Sequence, residues 1–208
     1  MCGIAGILSP NPQQYALPDL QRMTDALAHR GPDGCDHWRS TDGTVLLGHR
    51  RLKILDLSDQ AKQPLHYQDR FTIVHNGEIY NYLELRETLI KSGYAFRTNG
   101  DTEVIAAAFA HWGSTCVEQF DGMFAFAIWD EQQQSLFAAR DRFGEKPFYY
   151  TLQEQTLVFA SEIKAFWALG IRKQVDSNMA FNYLTLHGAP ANKSKVDQRR
   201  AFSLRLMG

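Results

Sequence analysis

The chain opens MCGIAGIL (residues 1–8). Six of these residues, from Gly3 on, form an apolar run broken only by small side chains, the pattern of a strand covered on both faces. A cysteine stands immediately before that strand. Removal of Met1 leaves Cys2 carrying a thiol of ordinary pKa about 8.5 beside an α-amine of about 7.7 to 8.0. One residue then supplies a nucleophile and a proton acceptor. The plain alternative is a small buried hydrophobe, the commonest use of a lone cysteine. Gly3 serves close ligand approach or simple tight packing.

Working outward, further strands are expected over residues 45–49, 71–75, 123–129, 135–140, 148–152 and 157–160, rich in Val, Ile, Phe and Tyr. Several are almost continuously apolar, so sheets covered on both faces are expected. Helical spacing is clearest where Asp101-Thr102-Glu103 precedes Val104, Ile105, Ala108, Phe109 and Trp112, with Asp101 as its N-cap. Two more helices are expected, over residues 81–92, closed by Gly93, and between Pro18 and His29. Together they give an α+β fold of two sheets flanked by helices.

Composition narrows the partners. Lys and Arg number 22 against 23 Asp and Glu, which gives no global charge for nucleic acid or an anionic membrane. No apolar stretch reaches the roughly 20 residues of a membrane helix, and residues 1–10 do not read as a secretory signal. A cytoplasmic protein is expected, with neither nucleic acid nor membrane as partner. Cys2, Cys35 and Cys116 lack metal-site spacing and are odd in number, so no metal site and no disulfide framework are expected. Residues 192–208 are basic and read as a disordered or truncated tail, with a docking helix as the alternative.

Three stretches complement Cys2. VHNGEIYN (residues 74–81) holds an Asn-Gly pair, ordinarily a hairpin turn. Chemically, the Asn76 amide and the Gly77 N–H also suit the paired donors that hold a developing oxyanion. HRRLKILDLS (residues 49–58) offers Arg50 and Arg51, either as a solvated basic edge or with one guanidinium clamping a carboxylate. TNGDTEV (residues 98–104) offers Asp101 as a cap or as acceptor for an ammonium, one oxygen for each.

With HRGPDG (residues 29–34), the QPL that follows the arginine stretch, FDGMFAFAIWD (residues 120–130), ARDRFGEKPFYY (residues 139–150) and FASEIKA (residues 159–165), these motifs resemble, in order, the glutaminase domain of glutamine-hydrolysing asparagine synthetases, a class II amidotransferase. The resemblance covers residues 1–191. It implies a four-layer αββα sandwich of the N-terminal-nucleophile hydrolase type. It implies Cys2 as nucleophile with its amine as base, and Asn76 and Gly77 as oxyanion donors. It further implies Arg51, Leu52, Lys53, Ile54, Leu55, Glu78 and Asp101 as the glutamine pocket. Arg51 would hold the α-carboxylate, and Glu78 and Asp101 the α-amino end. Arg30 and Gly31 belong to a loop that positions the nucleophile.

The implied reaction is hydrolysis of L-glutamine to glutamate and ammonia through a γ-glutamyl thioester, without cofactor. In the family, ammonia passes to an ATP- and Mg2+-using domain that makes asparagine. Its SGGxDS-type loop is not found in these residues, so a synthetase domain or separate acceptor protein is the expected partner, and a homodimer is left open. Apolar docking residues are expected near residues 123–126 and 181–186. Two other readings are an amidotransferase domain serving a different acceptor, and a scaffold that keeps the fold without turnover.

Overall fold

The computed structural model describes residues 1–173, 177–186 and 201–205. Strands are β1 (Gly3–Leu8), β2 (Gly34–Arg39), β3 (Val45–Arg51), β4 (Leu65–Tyr67), β5 (Phe71–Ile79), β6 (Gly122–Asp130), β7 (Ser135–Arg140), β8 (Tyr149–Gln153), β9 (Thr156–Ala160) and β10 (Ala201–Arg205). Helices are α1 (Leu17–Asp25), α2 (Tyr82–Lys91), α3 (Asp101–Trp112), α4 (Lys164–Ala168) and α5 (Ser177–Leu186). The first sheet has the order β2-β3-β1-β9-β8 and the second β10-β7-β6-β5-β4, with antiparallel neighbours throughout.

Strand alternation assigns each side chain to a layer. Along β1, Ile4 and Leu8 enter the core between the sheets, while Ala5 and Ile7 turn to α1 and α4, meeting Leu20, Met23, Leu27 and Phe166. Along β6, Ala125, Ala127 and Trp129 face the other sheet; Phe124, Phe126 and Ile128 face α2 and α3, beside Leu89, Val104 and Ile105. Each fully buried side chain of this size contributes about 1.5 to 3 kcal/mol relative to exposure. The αββα sandwich is therefore formed, with three apolar layers holding four layers of structure.

Several expectations need correction. Asn76 and Gly77 form no hairpin turn: they lie inside β5, paired with Ala125 and Phe124 of β6, because the apolar pairing on both sides carries the strand through to Ile79. Gly100, not Asp101, is the N-cap of α3, and the Asp101 side chain turns to β5 instead. Residues 201–205 of the supposed disordered tail are a strand against β7; the alternation of Phe202 and Leu204 with Ser203 and Arg205 is a strand period, and β7 offers an open edge. The rest of that tail, like residues 187–191 before it, lies outside the described residues. Phe124 to Phe126 are core rather than docking surface, whereas Phe181 and Leu184 are exposed.

Candidate active site

The site forms where β1 begins and where β3 and β5 end. Gly3 pairs with Arg50, so Cys2 meets the chain as it leaves β3. The Leu52 N–H donates to Cys2 Sγ at 3.3 Å, and the thiol reaches the Leu52 carbonyl at 3.5 Å. Burial pushes the Cys2 thiol pKa up, and Asp101 adds to this; the Leu52 N–H, the chain terminus and Arg51 oppose it without prevailing. At neutral pH the sulfur therefore keeps its proton, and reaction requires a base. With Met1 attached, the Cys2 nitrogen is an amide and cannot be that base.

Beneath Cys2, the Arg30 Nε donates to the Cys2 carbonyl at 2.9 Å while Nη1 pairs with Glu162 at 2.9 Å. Burial opposes the ionised Glu162, yet hydrogen bonds from Arg30, Lys164 and His29 bring its carboxyl down to about 2. A Cβ on Gly31 would lie 2.4 Å from the Arg50 carbonyl, so only glycine lets this loop lie against β3. Arg50 itself turns away, to the Thr24 carbonyl and Asp25 at the end of α1.

Beyond Ile73, β5 has lost β4 as its neighbour, and its odd-numbered N–H groups need other partners. Gln63 Oε1 accepts the His75 N–H at 2.6 Å, and Asp101 Oδ2 accepts the Ile79 N–H at 2.9 Å. The Gly77 N–H, between them, points the same way. Asp101 keeps its other oxygen 4.0 Å from His75 Nδ1. A Cβ on Gly77, at φ +152°, would meet the Met123 carbonyl oxygen at 2.1 Å. The Asn76 side chain is buried, and neither its nitrogen nor its oxygen has a hydrogen-bond partner among the described residues.

Arg51 is 7% exposed and is wrapped by the loop that follows it. Its Nη1 donates to the Ser58 carbonyl at 2.9 Å and its Nη2 to the Asp56 carbonyl at 2.5 Å, which leaves further N–H groups of the five available. The Asp56 carboxylate ties the loop down through the N–H groups of Ser58 and Asn99.

Cys2, Arg51, Leu52, Ile54, Leu55, Gly77, Glu78 and Asp101 line one cleft of about 480 Å3, counted out to its open mouth. Two expected residues do not line it. Lys53 is held off by its N–H, which donates to Asp33 Oδ2 at 2.9 Å and fastens the loop to residues 30–34. Asn76 faces the other side of β5 from His75, adjoining the cleft through Gly77. Gln63, His75 and Thr102, unforeseen from sequence, complete the floor: Gln63 Nε2 donates to Thr102 Oγ1 at 3.2 Å, and His75 Nδ1 lies 3.2 Å from the same oxygen. Among the described residues, no cluster of three His, Cys, Asp or Glu is arranged to hold a metal ion, and no helix is long and apolar enough to cross a membrane.

A second polar feature adjoins Met1. The loop from β7 to β8 winds around Asp141, whose carboxylate accepts the N–H groups of Phe124, Phe143, Glu145 and Lys146 at 2.9 to 3.3 Å. Burial opposes its ionisation, but these bonds hold its carboxyl below the usual range. The loop carries Lys146 inward, to 6% exposure, with Nζ 3.4 Å from Met1 Sδ.

Comparison with known proteins places this geometry. The family described as "Glutamine amidotransferase domain" matches residues 1–203. The chain is 42% identical over 172 residues to asparagine synthetase [glutamine-hydrolyzing] 3 of Bacillus subtilis, covering 81% of this chain and 28% of that protein. It is 36% identical over 215 residues to asparagine synthetase [glutamine-hydrolyzing] 1 of the same organism, covering 99% and 34%. Amidase chry2 of Gibberella zeae is 38% identical over 185 residues, covering 84% and 27%. The chain thus spans about a third or less of these relatives. Among solved structures, the glutamine phosphoribosylpyrophosphate amidotransferase of B. subtilis superposes with a TM-score of 0.69 at 24% identity, over 81% of this chain and 44% of that one. That likeness bears on the fold, which is the N-terminal-nucleophile hydrolase sandwich. By fold and sequence together, the chain belongs to the class II glutamine amidotransferase domain family.

Proposed function

We propose that this chain hydrolyses L-glutamine to glutamate and ammonia, with Cys2 as nucleophile once Met1 is removed. The observation that carries the reading is the meeting, in one cleft, of the Cys2 sulfur with an arginine and two carboxylates, Arg51, Glu78 and Asp101, suited to the two ends of an α-amino acid. The Cys2 amine takes the thiol proton, and Sγ bonds to the side-chain carbonyl carbon of glutamine. The charge raised on oxygen falls to the Gly77 N–H and the Asn76 amide. The C–N bond breaks, the amine returns its proton to the departing nitrogen, and ammonia leaves. Water then cleaves the thioester, giving glutamate and free thiol. The free N–H groups of Arg51 hold the α-carboxylate, and the open oxygen of Asp101 with Glu78 holds the ammonium. None of these steps calls on a metal or organic cofactor.

The ammonia, in this reading, is passed to an ATP- and Mg2+-dependent synthetase domain or partner protein acting on aspartate in the cytoplasm, as the family resemblance implies; the bacterial relatives named asparagine synthetase [glutamine-hydrolyzing] support an asparagine-forming acceptor. A different acceptor is the second reading, favoured by the relative named as an amidase. Glutamate release by purified protein, compared with Cys2→Ala, tests the hydrolysis. A fall of at least about a thousandfold is expected; equal rates would refute it. Supplying aspartate or alternative acceptors with the partner chain then separates the two readings.

A further inference from the structure

The loop within ARDRFGEKPFYY takes no part in the chemistry above, yet it is tightly built. Four N–H groups converge on Asp141, and the product of that winding is a lysine pressed into the protein beside the first residue. Among the described residues, Lys146 Nζ has one hydrogen-bonding neighbour, the Met1 sulfur, and no carboxylate pairs with it. A thioether is a weak acceptor, and an ammonium buried without a counter-charge is costly. Such a placement calls for a use.

Removing Met1 takes that sulfur away and converts the Cys2 nitrogen from an amide into an amine. Standard bond lengths put that nitrogen at most roughly 10 Å from Nζ. We propose that the Lys146 ammonium, by like-charge repulsion, holds the Cys2 α-amine in its neutral, proton-accepting form, so that Lys146 is a positioning residue for the base rather than a group that touches glutamine. The proposal rests on the hydrolytic reading and names what tunes its base. In a partly buried setting, a lysine ammonium at this distance lowers the pKa of the α-ammonium, the stronger acid of the two, by about one pH unit.

Other charged groups lie near Cys2, acting on its carbonyl or its thiol. Arg30 reaches the Cys2 carbonyl from the short turn after α1, Arg51 lies at the end of β3, and Asp101 acts in the opposite sense from α3. His75, from β5, is kept neutral: burial lowers its pKa, Asp101 opposes this, and Lys146 lowers it further. All these groups are unchanged in a Lys146 variant, so the difference isolates the lysine.

The test uses trimmed protein labelled with 15N-cysteine, whose one amine nitrogen is titrated by NMR in wild type, Lys146→Gln and Lys146→Arg. The wild-type amine is expected to titrate clearly below the ordinary 7.7 to 8.0. Lys146→Gln should raise it by about one pH unit, and Lys146→Arg should keep the wild-type value. The acidic limb of kcat/KM should move to higher pH in step in Lys146→Gln, since the amine must be uncharged to accept the proton. A wild-type amine at or above the ordinary value refutes the proposal even if the glutamine variant fails to fold, and so do coincident titrations. Absence of glutamate release by trimmed wild type would sink the hydrolytic reading instead, whatever the amine does.

Discussion

His49 donates its Nε2–H to the main-chain carbonyl of His75 at 3.1 Å, so one hydrogen bond joins the two sheets at the residue before Asn76. The carbonyl fixes the tautomer, because Nε2 must carry the hydrogen. Burial pushes the His49 pKa down to about 3; the bond to His75 opposes this, while His75 and Arg51 reinforce it.

A pH dependence of stability follows. Folding lowers this pKa from its usual 6.5, so the unfolded chain binds the proton more readily. The contribution is whole above about pH 6.5 and is lost as pH falls towards 3, amounting to at most roughly 5 kcal/mol at the acid end. Denaturation of wild type and His49→Gln across that range should show a shallower acid loss in the variant. Parallel curves would contradict the assignment of His49 as a buried neutral base.

Arg30→Ala removes both the clamp on the Cys2 carbonyl and one of the three partners of Glu162, His29 and Lys164 remaining. We expect about 2 kcal/mol of lost stability and a fall in kcat of about tenfold to a hundredfold, with KM for glutamine little changed. Steady-state kinetics checks this: a KM effect at constant kcat would assign Arg30 to substrate binding instead.

Gly77→Ala should not be tolerated. The new methyl group would sit 2.1 Å from the Met123 carbonyl oxygen, forcing β5 away from β6. We expect a melting temperature lowered by several degrees together with a loss of more than about a hundredfold in kcat. An active, thermally unaltered variant would show that the strand accommodates a side chain there.

Arg51→Lys keeps the charge and discards the fork. Besides weakening carboxylate binding, it releases the Ser58 and Asp56 carbonyls that the guanidinium gathers. KM for glutamine should rise at least about tenfold, with a smaller change in kcat. Glutamine analogues without the α-carboxylate should be insensitive to the substitution, and equal sensitivity would place Arg51 elsewhere in the mechanism.

Much of this molecule could be read from residue order, and the exceptions have physical causes. Unbroken apolar runs such as residues 3–8 and 123–129 announced their strands because both faces of each sheet are covered. Gly34–Arg39 did not, since an edge strand half open to water carries Asp36, His37 and Arg39 without penalty. Asn76-Gly77 has turn chemistry locally, and only pairing with β6 overrides it. Within the cleft, Cys2 stood out as a thiol beside its own amine, Arg51 and Asp101 because their functional groups suit the ends of an amino acid, and Glu78 through the family resemblance. Gln63, His75 and Thr102 did not, because each acts by satisfying groups brought near by the fold. Asp101 was legible as a carboxylate and misplaced as a cap: its partner, the Ile79 N–H, is 22 residues away.

Cys2, the nucleophile of the proposed hydrolysis, stands at the head of β1, the central strand of its sheet, pinned between β3 and β9. On the proposed mechanism, a polyhistidine or fusion partner left on the front of this protein would accordingly leave the melting curve intact and abolish glutamate release. Expression plasmids for it need their affinity handle elsewhere, or a protease that cuts flush with the thiol.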